Sequence, residues 1–305
     1  MLAAAAFLAA ITFAETKAIR LQVELDRAGF SCNTIDGVWG PKSEQALARY
    51  ASTLGAAAAS AVRGQSTDEA YRRLFKSAGN PYKLVEVTEA DLGSLVAIPA
   101  SPAAKAELPK MGYETIAEMF AERGHVSIRA LERLNPKIDF TRLRAGTKIR
   151  IPDFPPMEED LAAWPRTGTA ARPEASLVRI SLARCEVTAY DAKGKLLASF
   201  PCSVAKDKAN LPPHGELKVT TAIANPNYTY TPDGGGPRHI LPEGPNSPVG
   251  VAWIGLSLPG YGIHGTPRPE TIGSAESHGC FRLANWNAAR LYAMVRPGVR
   301  VIVEE

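Results

Sequence analysis

The feature that most constrains the fold is a change of character at Ala175. From there on, short β-branched runs recur at Leu177–Leu182, Glu186–Tyr190, Leu196–Val204, Leu217–Ala222 and Val249–Ile254. Turn signals such as Lys193-Gly194 and Pro213-His214-Gly215 separate them, which is the pattern of a mostly β domain. One clear helix is predicted over Asn285–Val295, capped by Asn285, with Leu291, Tyr292 and Val295 as its apolar face, and a last strand over Gly298–Val303. Residues Pro226–Pro248, with Tyr228, Tyr230 and Gly234-Gly235-Gly236, read as a long loop suited to act as a lid.

Within this region Ile263-His264-Gly265-Thr266 is followed by Ser277-His278-Gly279-Cys280-Phe281-Arg282, so that His264 precedes Cys280 by sixteen residues. Nucleophilic cysteine chemistry needs a thiolate, a base to make it, and donors for the oxyanion that forms next. A lone cysteine signifies little, since free cysteine is among the most buried residue types. A cysteine flanked by two histidines, a glycine and an arginine in this order is a far stronger signal.

The pattern resembles the signature of the YkuD family of L,D-transpeptidases, which runs His-Gly-Thr, a spacer, then Ser-His-Gly-Cys and Arg. The resemblance covers the C-terminal part, about 130 residues, and implies a β-rich, sandwich-like domain. It makes Cys280 the nucleophile and His264 the general base. The backbone N–H groups of Gly279 and Cys280 would form the oxyanion hole, and the side chain of His278 would orient the site. The carbonyl of Gly265 would fix the tautomer of His264. Arg282, Ser277, Gly265 and Thr266 are the expected substrate-binding positions. For Arg282 two roles stand, pairing with a substrate carboxylate or tying the cysteine loop internally. Where the family often carries Thr-Pro-x-Gly, this chain has Pro212-Pro213-His214-Gly215. His214 and His239 lie outside the motif and read as surface residues. No metal or cofactor is called for.

The implied reaction is attack of Cys280 on a tetrapeptide stem of peptidoglycan, release of D-Ala, and capture of the thioester by an amine from another stem. Water as acceptor (an L,D-carboxypeptidase), the lysine of a wall-anchored protein, or a catalytically quiet wall-binding protein are the alternatives.

Upstream, Ala18–Gly29 and Glu44–Leu54 read as helices around Ile35-Asp36-Gly37-Val38-Trp39-Gly40-Pro41-Lys42-Ser43, with Ser43 as the cap of the second. This stretch resembles a small three-helix peptidoglycan-binding module. Trp39 is either a platform for sugar rings or a core anchor of the loop. Ser66-Thr67-Asp68 cap a further helix through Phe75. Tyr113–Phe120, Ser127–Leu134, the Asn135-Pro136 stop and Leu143–Pro152 are similar to the LysM carbohydrate-binding module, with its first strand near Leu84–Val87. A long Pro/Ala-rich insertion, Ile98–Pro109, then precedes its first helix, leaving open whether that module binds glycan or supports the catalytic domain.

The expected organisation is therefore multidomain α+β. It comprises a signal segment over 1–14, a helical peptidoglycan-binding-like domain over 15–78, a LysM-like domain over 81–155, a proline-rich linker over 156–174, and the catalytic domain over 175–305. Residues 2–14 are apolar and uncharged, with Thr12 and Ala14 before Glu15. They read as a secretory signal without its basic start, or as an N-terminal helix packed on the fold. Thirteen residues are short for a membrane span of ~20, so no transmembrane helix is expected. The setting this implies is the periplasm or extracytoplasmic wall, with stem peptides and glycan as partners. The net charge of +4 comes without a Lys/Arg block, which suits an anionic polymer and gives no indication of nucleic acid.

Four cysteines are present. A two-residue turn at Lys193-Gly194 would set Cys185 opposite Cys202, near enough to bridge. Two buried free thiols in a sheet is the other reading, and Cys32 is left over as a buried residue.

Overall fold

The computed structural model describes residues 13–62, 66–75, 79–162, 174–205, 211–232, 234–273, 275–277 and 279–305. Most of the expected signal segment and linker, and His278, lie outside the described residues. The chain forms two compact units, one of residues 1–93 with 115–154 and the other of residues 94–114 with 155–305. The helical stretch and the β–α–α–β stretch after it thus share a unit, while the Pro/Ala-rich insertion packs with the β domain.

The first unit is built on α1 (Phe13–Arg27). Its middle is buried nearly all round: Ile19, Leu21, Val23 and Leu25 are enclosed, but so are Gln22 and Asp26. Buried polar groups must be hydrogen-bonded, and the following loop supplies the partners of Gln22. The Gln22 side-chain amide donates to Asp36 Oδ1 (3.1 Å), the Val38 carbonyl (3.0 Å) and Ser43 Oγ (3.1 Å), and its carbonyl accepts from the Gly37 N–H (2.9 Å). Gly37 takes φ +76° there, a conformation glycine adopts without a Cβ penalty. Trp39 is half-buried.

Three short helices follow, α2 (Pro41–Thr53), α3 (Ala56–Val62) and α4 (Thr67–Leu74), the last capped as expected by the Ser66 hydroxyl. Ser43, expected as the cap of α2, is not one. The cap is Gly40, and Pro41 opens the helix, where its missing N–H and fixed φ cost nothing. Ser43 is buried inside the first turn.

Next, β1 (Tyr82–Glu86) pairs antiparallel with β2 (Lys148–Pro152). Between them in sequence come α5 (Glu89–Gly93), α6 (Pro102–Ala106, in the second unit), α7 (Ile116–Arg123) and α8 (Ile128–Leu134). Ser127 caps α8, and the Asn135 side chain closes it by bonding to the Leu131 and Arg150 carbonyls and the Arg150 N–H. The two halves of this unit are joined through a buried pair, His125 Nδ1 to Asp26 Oδ1 at 3.0 Å, with the His125 ring stacked on Phe154, and by a parallel bridge of Ile35 with Val126.

Among the described residues the second unit holds α9 (Met157–Leu161) and twelve strands: β3 (Leu177–Ser181), β4 (Glu186–Tyr190), β5 (Leu196–Pro201), β6 (Val204–Ala205), β7 (Gly215–Ala224), β8 (Tyr228–Tyr230), β9 (His239–Leu241), β10 (Ala252–Leu256), β11 (Gly262–His264), β12 (Ala275–Ser277), β13 (Phe281–Arg282) and β14 (Arg300–Glu304). Eight of them form one mixed sheet in the order β13-β11-β10-β7-β14-β3-β4-β5. The region expected as a long loop contains a β8/β9 ribbon, and a second ribbon pairs β6 with β12. Helix α10 (Asn285–Tyr292) packs against α9 and across β7, β10 and β11. It buries Ala288, Leu291 and Tyr292 in a core with Ile180, Phe200, Ile254 and Phe281.

Glu186 through Ala189 pair with Pro201 back to Ala198, the register expected from the sequence, but a bulge at Ala189/Tyr190 intervenes before the turn. There Asp191 bonds to Lys195 and Gly194 takes φ +77°, a three-residue turn with a left-handed glycine in place of the two-residue turn expected. The extra residue and the bulge cancel, so Cys202 does donate its N–H to the Cys185 carbonyl at 2.7 Å. Both thiols are free, as is Cys32. Burial pushes Cys202 well up, with Cys185 and Glu186 adding to it.

Candidate active site

Strand β11 lies between β10, antiparallel to it, and β13, parallel to it. This arrangement sets His264 across from Trp253 on one side and from Arg282 on the other. The rings of His264 and Trp253 stack with centroids 5.6 Å apart at 22°. Such a stack needs an open space two residues before the histidine. A Cβ on Gly262 would lie 2.6 Å from the Trp253 ring, so only glycine fits there.

His264 is 6% exposed. Its Nδ1 lies 2.7 Å from the carbonyl of Gly265. A carbonyl only accepts, so Nδ1 carries the hydrogen, and in the neutral ring Nε2 holds the lone pair. The imidazole pKa falls from 6.5 to about 4, chiefly because burial disfavours the cation; the Gly265 carbonyl opposes this and the Arg282 charge adds to it. The ring is therefore neutral at physiological pH, poised to accept a proton at Nε2.

The Gly265 backbone packs against a buried amide, that of Asn285. Asn285, expected as a helix cap, is instead the first residue of α10, after Ala284. Its fully buried side chain bonds to the Pro245 carbonyl (3.0 Å) and accepts from the Val251 N–H (3.3 Å). Gly250 and Gly265 both abut this amide, and a Cβ on either would collide with it. An amide inside the fold satisfies two backbone groups that a cap would have left to others.

Cys280 stands in the short stretch before β13, half-buried, with Sγ 3.5 Å from the Gly260 carbonyl. Burial raises its pKa, and a hydrogen bond from the Gly262 backbone lowers it in part. Gly279, buried beside it, has φ +148°, again in the region that favours glycine. Arg282 is 9% exposed and Thr266 is buried, its hydroxyl accepting from the Arg268 N–H at 3.3 Å. Ser277 ends β12; its side chain, like His278, lies outside the described residues.

A cleft of about 740 Å³ brings Cys280, Gly279, His264, Thr266 and Arg282 together with Trp253, Tyr228 and Tyr230. His214 is exposed and His239 half-buried, and neither lines the cleft. Sequence reasoning missed Trp253, Asn285 and the contribution of the insertion, through Pro102, Lys105 and Met111. The strand pairing that puts Trp253 on His264 is not written in residue order; the glycine at 262 was its only trace.

The cleft thus holds a thiol together with a tautomer-fixed, neutral imidazole. Residues 175–303 match the YkuD family, described as the L,D-transpeptidase catalytic domain. The putative L,D-transpeptidase YkuD of Bacillus subtilis is 40% identical over 178 residues, covering 58% of this chain and 87% of that one. The putative L,D-transpeptidase YqjB of the same organism is 37% identical over 109 residues, 34% of this chain and 58% of that one. The chain thus spans little more than half of YqjB, as it does of the probable L,D-transpeptidase YcfS of Escherichia coli, at 57%. The solved catalytic domain of an E. faecium L,D-transpeptidase is similar at 23% identity and a TM-score of 0.35, over 44% of this chain and 99% of that one. The chain belongs to the YkuD family of L,D-transpeptidases.

Proposed function

We propose that this protein cross-links peptidoglycan through a thioester on Cys280. The observation that carries the reading is the His264–Gly265 hydrogen bond, which leaves Nε2 as the proton acceptor in the cleft that holds the thiol. As Sγ attacks the carbonyl of the third residue of a tetrapeptide stem, its proton passes to Nε2. The developing oxyanion is met by backbone N–H groups at Gly279 and Cys280. The imidazolium then protonates the leaving D-Ala amine, and the thioester remains. An amine of a second stem attacks the thioester, gives its proton to Nε2 and takes the acyl group, and the proton returns to sulfur. The product is a 3→3 cross-link.

His278 orients the cysteine segment, Ser277 bonds within it, and Thr266 and Arg282 shape the substrate side. The first unit contributes affinity for the wall. The setting is extracytoplasmic; among the described residues no helix is long and apolar enough to cross a membrane.

The test is mass spectrometry after incubation with a disaccharide-tetrapeptide, with Cys280→Ala alongside. Dimers joined 3→3 with release of D-Ala, absent from the variant, are the expected result. Tripeptide monomer alone would make the protein an L,D-carboxypeptidase. No product from folded protein would overturn the reading.

A further inference from the structure

Residues 94–114 interrupt the connection from β1 to α7, yet they pack in the catalytic unit. The attachment is specific. The Met111 N–H donates to the Glu243 carbonyl (2.8 Å), and the Met111 carbonyl accepts from the Asn246 N–H (3.0 Å). The Asn246 side chain donates to the Gly112 carbonyl (2.9 Å). Met111 is 1% exposed, and a Cβ on Gly244 would overlap its backbone, 2.6 Å from the carbonyl carbon. Ahead of it, α6 is opened by Pro102 and capped by the Ser101 hydroxyl, and it packs on β9. The insertion is therefore a fixed wall, and Pro102, Lys105 and Met111 line the same cleft as Cys280 and His264.

The charge of that cleft is one-sided. Its lining includes Lys105, Arg268 and Arg282 and, among the described residues, no aspartate or glutamate. Lys105, half-buried, and Arg268, exposed, pair with no carboxylate among the described residues. A half-buried ammonium in a pocket without anions is a site for an anion brought by the substrate.

We propose that the insertion is a specificity element: Lys105, assisted by Arg268, binds a free carboxylate of the stem peptide and so selects unamidated stems. This rests on the proposed reading of the cleft as a stem-peptide site. The residue acts by binding, and the chemistry at Cys280 proceeds without it.

The experiment uses the full chain carrying Cys280→Ala, so that nothing is turned over, and measures by calorimetry the binding of a stem tetrapeptide with free carboxylates and of the same peptide with every carboxylate amidated. The free peptide is expected to bind about fivefold tighter, the scale of a partly buried ion pair. Lys105→Gln should reduce that preference to the part Arg268 supplies and Lys105→Glu should abolish it, with the amidated peptide changed less than about twofold. Equal binding of the two peptides, or a Lys105 effect of the same size on both, overturns the proposal. Turnover by the protein with Cys280 intact separates the two questions, since charge-selective binding without turnover would sink the catalytic reading and leave this one standing.

Discussion

Lowering the pH from 7.5 to 5.5 is the sharpest probe of the site. An ordinary histidine of pKa 6.5 is about nine-tenths protonated at pH 5.5, whereas one near 4 is only about 3% protonated. His264 is in the second class because burial, and then the Arg282 charge, disfavour its cation. As the proposed general base it should stay competent, so kcat/KM at pH 5.5 should remain within about twofold of its value at 7.5 instead of dropping about tenfold.

The same shift bears on stability. The unfolded chain takes up this proton as pH falls below 6.5, and the folded chain does not until about 4. The contribution is therefore complete above 6.5 and is lost between 6.5 and 4, to an extent of about 3 kcal/mol. The direct assay is an NMR titration of carbon-13-labelled histidines, with His264→Gln identifying the resonance, run beside the rate profile. A midpoint between 6 and 7 for that resonance, or a tenfold loss of rate at pH 5.5, would refute the argument from burial.

Further outcomes are expected elsewhere in the molecule. Iodoacetamide should modify Cys280 slowly at pH 7 and faster as pH rises, because burial raises the thiol pKa; labelling that is fast at pH 6 and independent of pH would contradict this. Asn285→Ala strips a buried bond from Pro245 and Val251 and should cost about 1–3 kcal/mol in denaturant unfolding, with kcat reduced more than KM is changed. Gly262→Ala forces a methyl group into the Trp253 ring and should destabilise by about 1–3 kcal/mol, displacing the tryptophan fluorescence. Gln22→Ala removes the partners of the Asp36–Ser43 loop; protease cleavage within that loop should accelerate at least severalfold, and an unchanged rate would show that the loop stands without it.

Much of the fold was legible because it depends on local signals. Ser66 and Ser127 cap helices where the sequence places them, and the β-branched runs after Ala175 are strands. Where the reading failed, two local rules competed. Proline at 41 is a better helix start than serine at 43, and Asn285 had a use inside the fold that outweighed capping. The hairpin of Cys185 and Cys202 shows two deviations compensating, since the longer turn and the bulge restore the register that a shorter turn would have given.

By itself the sequence determined the residue types of the site and their order. His264, Gly265, Gly279, Cys280 and Arg282 are close in the chain, and the chemistry they permit is a property of their functional groups. It also determined that a β domain would hold them. Only the tertiary structure decided that His264 is stacked on Trp253, that its neutral form prevails, that Asn285 secures the Gly265 loop, and that residues 94–114 wall the cleft. Burial, and hence a pKa, is a sum over neighbours from strands and helices far apart in sequence, and the docking of an insertion depends on which backbone groups another part of the chain leaves to be paired. Neither quantity exists until the chain has folded.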